Sequence, residues 1–234
     1  GKLAALGQMS AALSHEFNQP LAAVKTYADN AATYLERNRI DEARDNVGRI
    51  SQMADRMAAI SKHLRNFARR PQDKIRPVSL LPVINDALAI LAAKLRDRNA
   101  KISFDPPTTD IRIMGGQVRL QQIIVNLISN AVDASVTSAA EPLIHLSIEE
   151  TPHRVLIRIR DHGSGIDADT MGQIFDPFFT TKSPGEGLGL GLSISYNIIR
   201  DFGGHLLADN HPDGGAIFTI DLAVAEQMVE EAAE

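Results

Sequence analysis

The 234-residue chain has no cysteine, which rules out a disulfide framework and a thiolate metal site and fits a reducing compartment. No run of about 18 apolar residues occurs and no signal-peptide pattern opens the chain, so no membrane-spanning helix is expected. The phosphate loop GxxxxGK followed by Ser or Thr is missing, and no dinucleotide fingerprint leaves a strand within a βαβ unit. Both common nucleotide folds are thereby excluded. Positive charge is not in excess either: formal net charge is -5. The basic cluster Arg65, Arg69 and Arg70 sits where a helix is expected to end, so dipole compensation accounts for it and no nucleic-acid surface is expected.

What is present is ordinary globular usage, with 44% hydrophobic and 23% charged residues, in a length that suits two modest domains. The chain starts at Gly1, without Met, in what reads as the middle of a helix. It is therefore expected to be part of a longer protein whose upstream segment holds a sensor and an anchor.

Apolar residues at Leu3, Leu6, Met9, Leu13, Phe17, Leu21 and Val24 follow the three-and-four spacing of one helix face. That helix is expected to run to about Arg37, with a break at Asn38 and Arg39 and with Asp41 capping a second helix. The second arm carries Val47, Ile50, Met53, Met57, Ile60, Leu64 and Phe67 in a seven-residue repeat. Two helices alone bury little, so the hairpin over 1–70 is expected either to form a four-helix bundle in a homodimer or to dock on another domain. Residues 71–77, framed by Pro71 and Pro77, read as a linker.

A second domain is expected over 78–223. Helical patterns cover Leu80 to Arg98 and Gln117 to Val136, and a third helix is expected to open after Gly187. Strands are expected at Lys101 to Asp105, Ile111 to Met114, Leu143 to Glu150, Arg154 to Asp161, His205 to Asp209 and Ala216 to Leu222. Helices and antiparallel strands in separate runs favour an α+β chain ending in an α/β sandwich, helices layered on a mixed sheet. Residues 224–234 read as a tail, a frayed helix rich in Ala and Glu.

Four segments of this domain carry chemistry together. In Asn126-Leu-Ile-Ser-Asn130-Ala-Val-Asp133, three polar residues share one helix face, a pattern that alone is simply amphipathic. Asp161-His-Gly163-Ser-Gly165 follows a strand, and in isolation such a turn is more often a loop than a site. Phe175-Asp-Pro-Phe178-Phe179-Thr-Thr181-Lys182 has aromatic anchors for a mobile loop, with Lys182 either meeting phosphate or standing as an exposed loop lysine. Gly185-Glu-Gly187-Leu188-Gly189-Leu190-Gly191 runs into a helix start, where backbone N–H groups can approach an anion.

In this order the segments resemble the N, G1, F and G2 boxes of the GHKL (Bergerat) ATP-binding fold, and Gly214-Gly215 resembles the G3 box. The resemblance implies ATP and Mg2+ as cofactors. It implies that Asp161 bonds the adenine amino group in a pocket shaped by Gly163 and Gly165, and that Asn130 holds Mg2+ with Asn126 beside it. Asp133, Thr181, Lys182 and the run Gly187, Leu188, Gly189, Leu190, Gly191 would complete the nucleotide site, with residues 180–186 as its lid. Hydrolases of this fold place a Glu four residues before the metal-binding Asn; Asn126 stands there and is no general base, so another acceptor is needed.

Ser14-His15-Glu16-Phe17-Asn18-Gln19-Pro20-Leu21 supplies one. His15 lies about 180° from the apolar stripe and is expected to face solvent. His15, Glu16 and Pro20 resemble the H box of sensor histidine kinases, which implies phosphorylation of His15 and onward transfer to an Asp in the receiver domain of a response regulator. Glu16 would orient the imidazole through its second nitrogen. Where many relatives have Thr or Asn, this chain has Gln19, a candidate for regulator dephosphorylation that leaves that reaction in doubt. The stretch from His15 to Tyr27 is similar to the dicarboxylate-sensing branch, whose regulators activate transcription. A cytoplasmic position is implied, the full protein lying in the inner membrane. His63, His145, His153, His162, His205 and His211 read as structural or exposed.

Overall fold

A computed structural model describes residues 2–68, 74–136, 142–182 and 189–225; the side chains of 2–16, 59, 62–68 and 136 lie outside that description. Outside it therefore fall the exposure of His15, the apolar positions up to Leu13, Leu64 and Phe67, the Arg65–Arg69–Arg70 cluster, and Gly187 and Leu188. The described residues form two compact units, one ending at Ala68 and one beginning at Lys74, with Thr181 and Lys182 outside the second. No helix among the described residues is long and apolar enough to cross a membrane.

The first unit is a hairpin of α1 (Lys2–Glu36) and α2 (Ile40–Ala68). Asn38 takes φ 59, and the reversal closes with Arg39 N–H to Tyr34 O at 2.8 Å and Asn38 N–H to Leu35 O at 3.0 Å. This is a Schellman stop, in which Asn tolerates the left-handed backbone. The same pair of bonds ends α3 at Asn99 and α5 at Gly203. Asp41 is not the cap of α2: Ala43 N–H bonds the carbonyl of Arg39, which puts Asp41 and Glu42 in the first turn. There their charge still complements the helix dipole. Ala31, Ala43 and Ile60 are buried in the seam, whereas Leu21 and Val47, read as members of the apolar faces, are 54% and 57% exposed.

The second unit begins sooner than expected. β1 (Arg76–Ser79) pairs antiparallel with β3 (Arg112–Gly115), so the end of the stretch read as linker is a strand. Four residues long, it is too short to show alternation and is stabilised by its partner. α3 (Leu80–Asp97) and β2 (Lys101–Phe104) lie between those two strands in sequence, and α4 (Gln117–Val136) follows β3. β4 (Leu143–Glu150), β5 (Arg154–Arg160), α5 (Gly191–Asp201), β6 (His205–Asn210) and β7 (Ala216–Ala223) complete the unit. The main sheet has the order β2-β4-β5-β7-β6, parallel between β2 and β4 and antiparallel elsewhere.

Alternation decides which face is covered. Val155, Ile157 and Ile159 of β5 and Phe218, Ile220 and Leu222 of β7 point inward against Leu120, Ile123, Ile124, Leu127, Ile128, Ala131 and Val132 of α4. Each large side chain removed from water there contributes roughly 1.5–3 kcal/mol before entropy is counted. A helix therefore sits on the sheet with its opposite stripe turned away, and that stripe holds the polar residues. Two expectations are corrected. α5 starts at Gly191, not directly after Gly187, since Gly189 and Leu190 are not helical. Val224 bridges to Ile113 and Ala225 donates to Arg112 O at 2.8 Å, so the first two residues read as tail continue the sheet, while 226–234 lie outside the described residues.

Candidate functional site

The polar stripe of α4 differs along its length. Asn126 donates from Nδ2 to Ser195 Oγ at 2.9 Å and lies so close to Gly191 that a Cβ there would be 2.4 Å from Asn126 Oδ1. It ties α4 to the first two turns of α5. Asp133 faces the other way in sequence: Lys94 of α3 sits 2.7 Å from its Oδ1 and donates to Ser129 Oγ at 2.6 Å. The side-chain amide of Asn130, half-buried one turn after Asn126, has no hydrogen-bond partner among the described residues. An amide kept half out of water without a partner fits a ligand, and one oxygen of this kind plus phosphates suits Mg2+.

The turn after β5 is built around a carboxylate. Asp161, 3% exposed, accepts at Oδ1 from Gly163 N–H at 2.9 Å and from Ala216 N–H at 3.0 Å. Two converging backbone donors are what lets it sit buried at the C-terminal end of the central strand β5. His162 bonds through Nδ1 to Leu143 O at 2.9 Å; a carbonyl only accepts, so Nδ1 carries the proton. Its ring stands 5.1 Å from that of His145, whose pKa is lowered by burial first, then by His162 and Arg160.

Before α5 the aromatic segment is pinned at two points. Phe175 stacks on Tyr196, ring centroids 5.1 Å apart, and Phe178 N–H bonds Gly189 O at 3.0 Å. Phe178 itself has φ 68, unusual for a bulky residue and a mark of a chain held in place by its surroundings. Leu190 is buried, and its carbonyl accepts from Ser193 Oγ at 3.0 Å at the head of α5. Thr181 is exposed and Lys182 half-exposed.

On the first unit, His15 and Glu16 lie within α1 and Gln19 is exposed one turn on. Pro20, inside the helix, has no N–H to offer, so the carbonyl of Glu16 lacks its intrahelical donor.

These features match known families. Residues 5–73 match the His Kinase A (phospho-acceptor) domain, and residues 115–226 match the histidine kinase-, DNA gyrase B- and HSP90-like ATPase. The chain belongs to the histidine kinases. The C4-dicarboxylate transport sensor protein DctB of Pseudomonas aeruginosa is 42% identical over 95% of this chain and 36% of its own length. The protein of that name from Rhizobium meliloti is 36% identical over 96% and 35%. This histidine kinase region thus spans about a third of the length of these relatives. The catalytic domain of histidine kinase ThkA superposes with a TM-score of 0.57 at 28% identity, over 64% of this chain and 97% of that one. A structure of ThkA in complex with the response regulator protein TrrA gives 0.73 at 23% identity, over 95% and 63%, a likeness of fold.

Three residues of this candidate site were not legible as such. Ser195 and Lys94 engage Asn126 and Asp133 from other helices, and Asn210 holds the Asp161 turn from β6. Sequence offers no local signal for them, since each partner is 35 or more positions away.

Proposed function

We propose that this region binds Mg-ATP in the second unit and transfers its terminal phosphoryl group to His15, which then passes it to an Asp of a response regulator. The observation that carries this reading is the contrast on α4. Asn126, where a hydrolase of the fold would need a base, is an amide and is already spent on Ser195, while Asn130 remains for a ligand. Water has no activator there, so a nucleophile must come from elsewhere in the molecule.

Neutral imidazole serves. One nitrogen of His15 attacks the γ-phosphorus in line, the N–P bond forms, and the bond from that phosphorus to the bridging oxygen breaks with ADP leaving. Glu16 accepts a hydrogen bond from the other nitrogen and offsets its growing positive charge. Asp161 presents Oδ2 to the adenine amino group, Oδ1 being held by Gly163 and Ala216. Gly163 and Gly165 shape that pocket; Gly189, Leu190 and Gly191 would take the phosphates, and Gly187, Leu188, Thr181 and Lys182 are assigned to them by the family resemblance alone. Asn130 would hold Mg2+, which neutralises phosphate charge when bound.

The same reading makes the hairpin a homodimer: Leu21 and Val47 are large apolar side chains left more than half exposed on one hairpin. A hairpin over 1–70 goes with it, while the stretch read as linker (71–77) gives way at Arg76 to the ATP-binding domain, whose sheet continues past 223 through Ala225. The name of the ThkA complex supports a receiver domain as partner, and the two DctB relatives support a dicarboxylate-responsive system acting through a transcription activator. A region that works in the cytoplasm as part of a longer inner-membrane sensor goes with the same reading. Gln19, exposed one turn from His15, is the candidate for holding a water that dephosphorylates the regulator.

Incubation with γ-labelled ATP and Mg2+, followed by acid and by alkali, tests the reaction. An acid-labile, alkali-stable label is expected, absent in His15→Gln and at least about tenfold slower in Asn130→Asp. Label persisting in His15→Gln overturns the assignment.

A further inference from the structure

We propose that Asn210 is a positioning residue that holds the Asp161 turn in the shape that selects adenine; this rests on the assignment of Asp161, Gly163 and Gly165 to the base. One turn, between β6 and β7, grips the 161–166 loop at both ends. At the start, Ala216 N–H donates to Asp161 Oδ1 and accepts Asp161 N–H at its carbonyl, both at 3.0 Å. At the far end, Asn210 Oδ1 accepts from Ile166 N–H at 2.7 Å and Asn210 Nδ2 donates to Ile166 O at 2.7 Å. The side-chain amide thus pairs with Ile166 as a neighbouring strand would, offering one donor and one acceptor at the right separation.

Gly165 is matched to this clamp. Its φ is +79, and a Cβ there would fall 2.8 Å from Asn210 Oδ1. Asn210 is exposed, so its bonds compete with water and add little to global stability. What they restrict is the freedom of residues 163–166. A site discriminates between bases only when its polar groups are held in place, and this clamp is the tertiary link that holds the end of the loop.

The test is displacement of a ribose-labelled fluorescent ATP from the whole chain by ADP and by GDP, with melting temperature and helical signal for each variant. Asn210→Ala is expected to weaken ADP about tenfold while GDP hardly changes, so the ADP-over-GDP ratio falls by a similar factor. Its melting temperature is expected to stay within about 2–4 °C of wild type. Asn210→Ser, able to serve one Ile166 group at a time, is expected to keep part of the ratio. A wild-type ratio in Asn210→Ala overturns the proposal, as does equal weakening of both nucleotides with a large loss of melting temperature. Asp161→Asn separates the two levels. If it loses selectivity while Asn210→Ala keeps it, the adenine assignment survives and the role of Asn210 falls; if Asp161→Asn keeps selectivity, both fall.

Discussion

Adjacent glycines in the β6–β7 turn carry different loads. Gly214 and Gly215 have φ of +91 and +83, so both pay for a side chain in backbone strain. Only at Gly215 is there also no room: a Cβ would lie 2.0 Å from the carbonyl oxygen of Asp161, whereas at Gly214 nothing lies within 4 Å. Gly214→Ala is expected to destabilise the second unit by about 1–2 kcal/mol, and Gly215→Ala by about 2–4 kcal/mol with loss of nucleotide binding. Denaturant titration of the two variants, following that unit's transition, measures the difference. His145 gives a second test. Its folded pKa lies below the ordinary imidazole value of about 6.5, mainly through burial, with His162 and Arg160 adding to it. In the window below 6.5 the unfolded chain binds the proton more readily, so this group's contribution is intact above that pH and is lost as pH falls. Unfolding free energy measured between pH 7 and 5 is expected to drop less steeply in His145→Gln, about where the imidazole titrates.

Between elements, the clip from α3 to α4 is the clearest local device. Lys94 bonds Ser129 and pairs with Asp133, both partners of the pair being roughly one-quarter to one-third exposed, at 26% and 31%. Solvent screens part of that attraction, so Lys94→Met is expected to cost about 1 kcal/mol. A double-mutant cycle with Asp133→Asn is expected to show coupling of about 0.5–1 kcal/mol. Labelling from ATP is expected to survive Lys94→Met. A collapse of labelling with stability unchanged assigns Asp133 to the nucleotide more strongly than to α3.

For the molecule as a whole, the exposed apolar positions of the hairpin test the proposed dimer. Leu21 and Val47 are 54% and 57% exposed, and in a twofold bundle both pass out of water. Leu21→Asp with Val47→Asp is expected to turn a dimer into a monomer in sedimentation equilibrium. A dimer that survives both charges favours the alternative, a hairpin whose face docks on another domain.

Periodicity alone determined the two-helix hairpin, the α4 stripe and most strands of the main sheet, because each is a local repeat of apolar residues along one element. Ordered motifs, read by resemblance, named the Asp161 turn, Asn130 and His15. β1 escaped that reading, since four residues beginning with Arg76 show no alternation until β3 pairs with them. Asp41 looked like a cap but lies one step inside α2, because Asn38 had already turned the chain and Arg39 supplied the cap carbonyl. The site was divided in the same way. The acidic and amide residues are legible in the sequence, but which amide is spent on Ser195, which carboxylate on Lys94, and which loop end on Asn210 are decided by contacts across 35 to 69 positions. Such contacts exist only after the sheet and its helices have packed, and so the tertiary structure alone settled them.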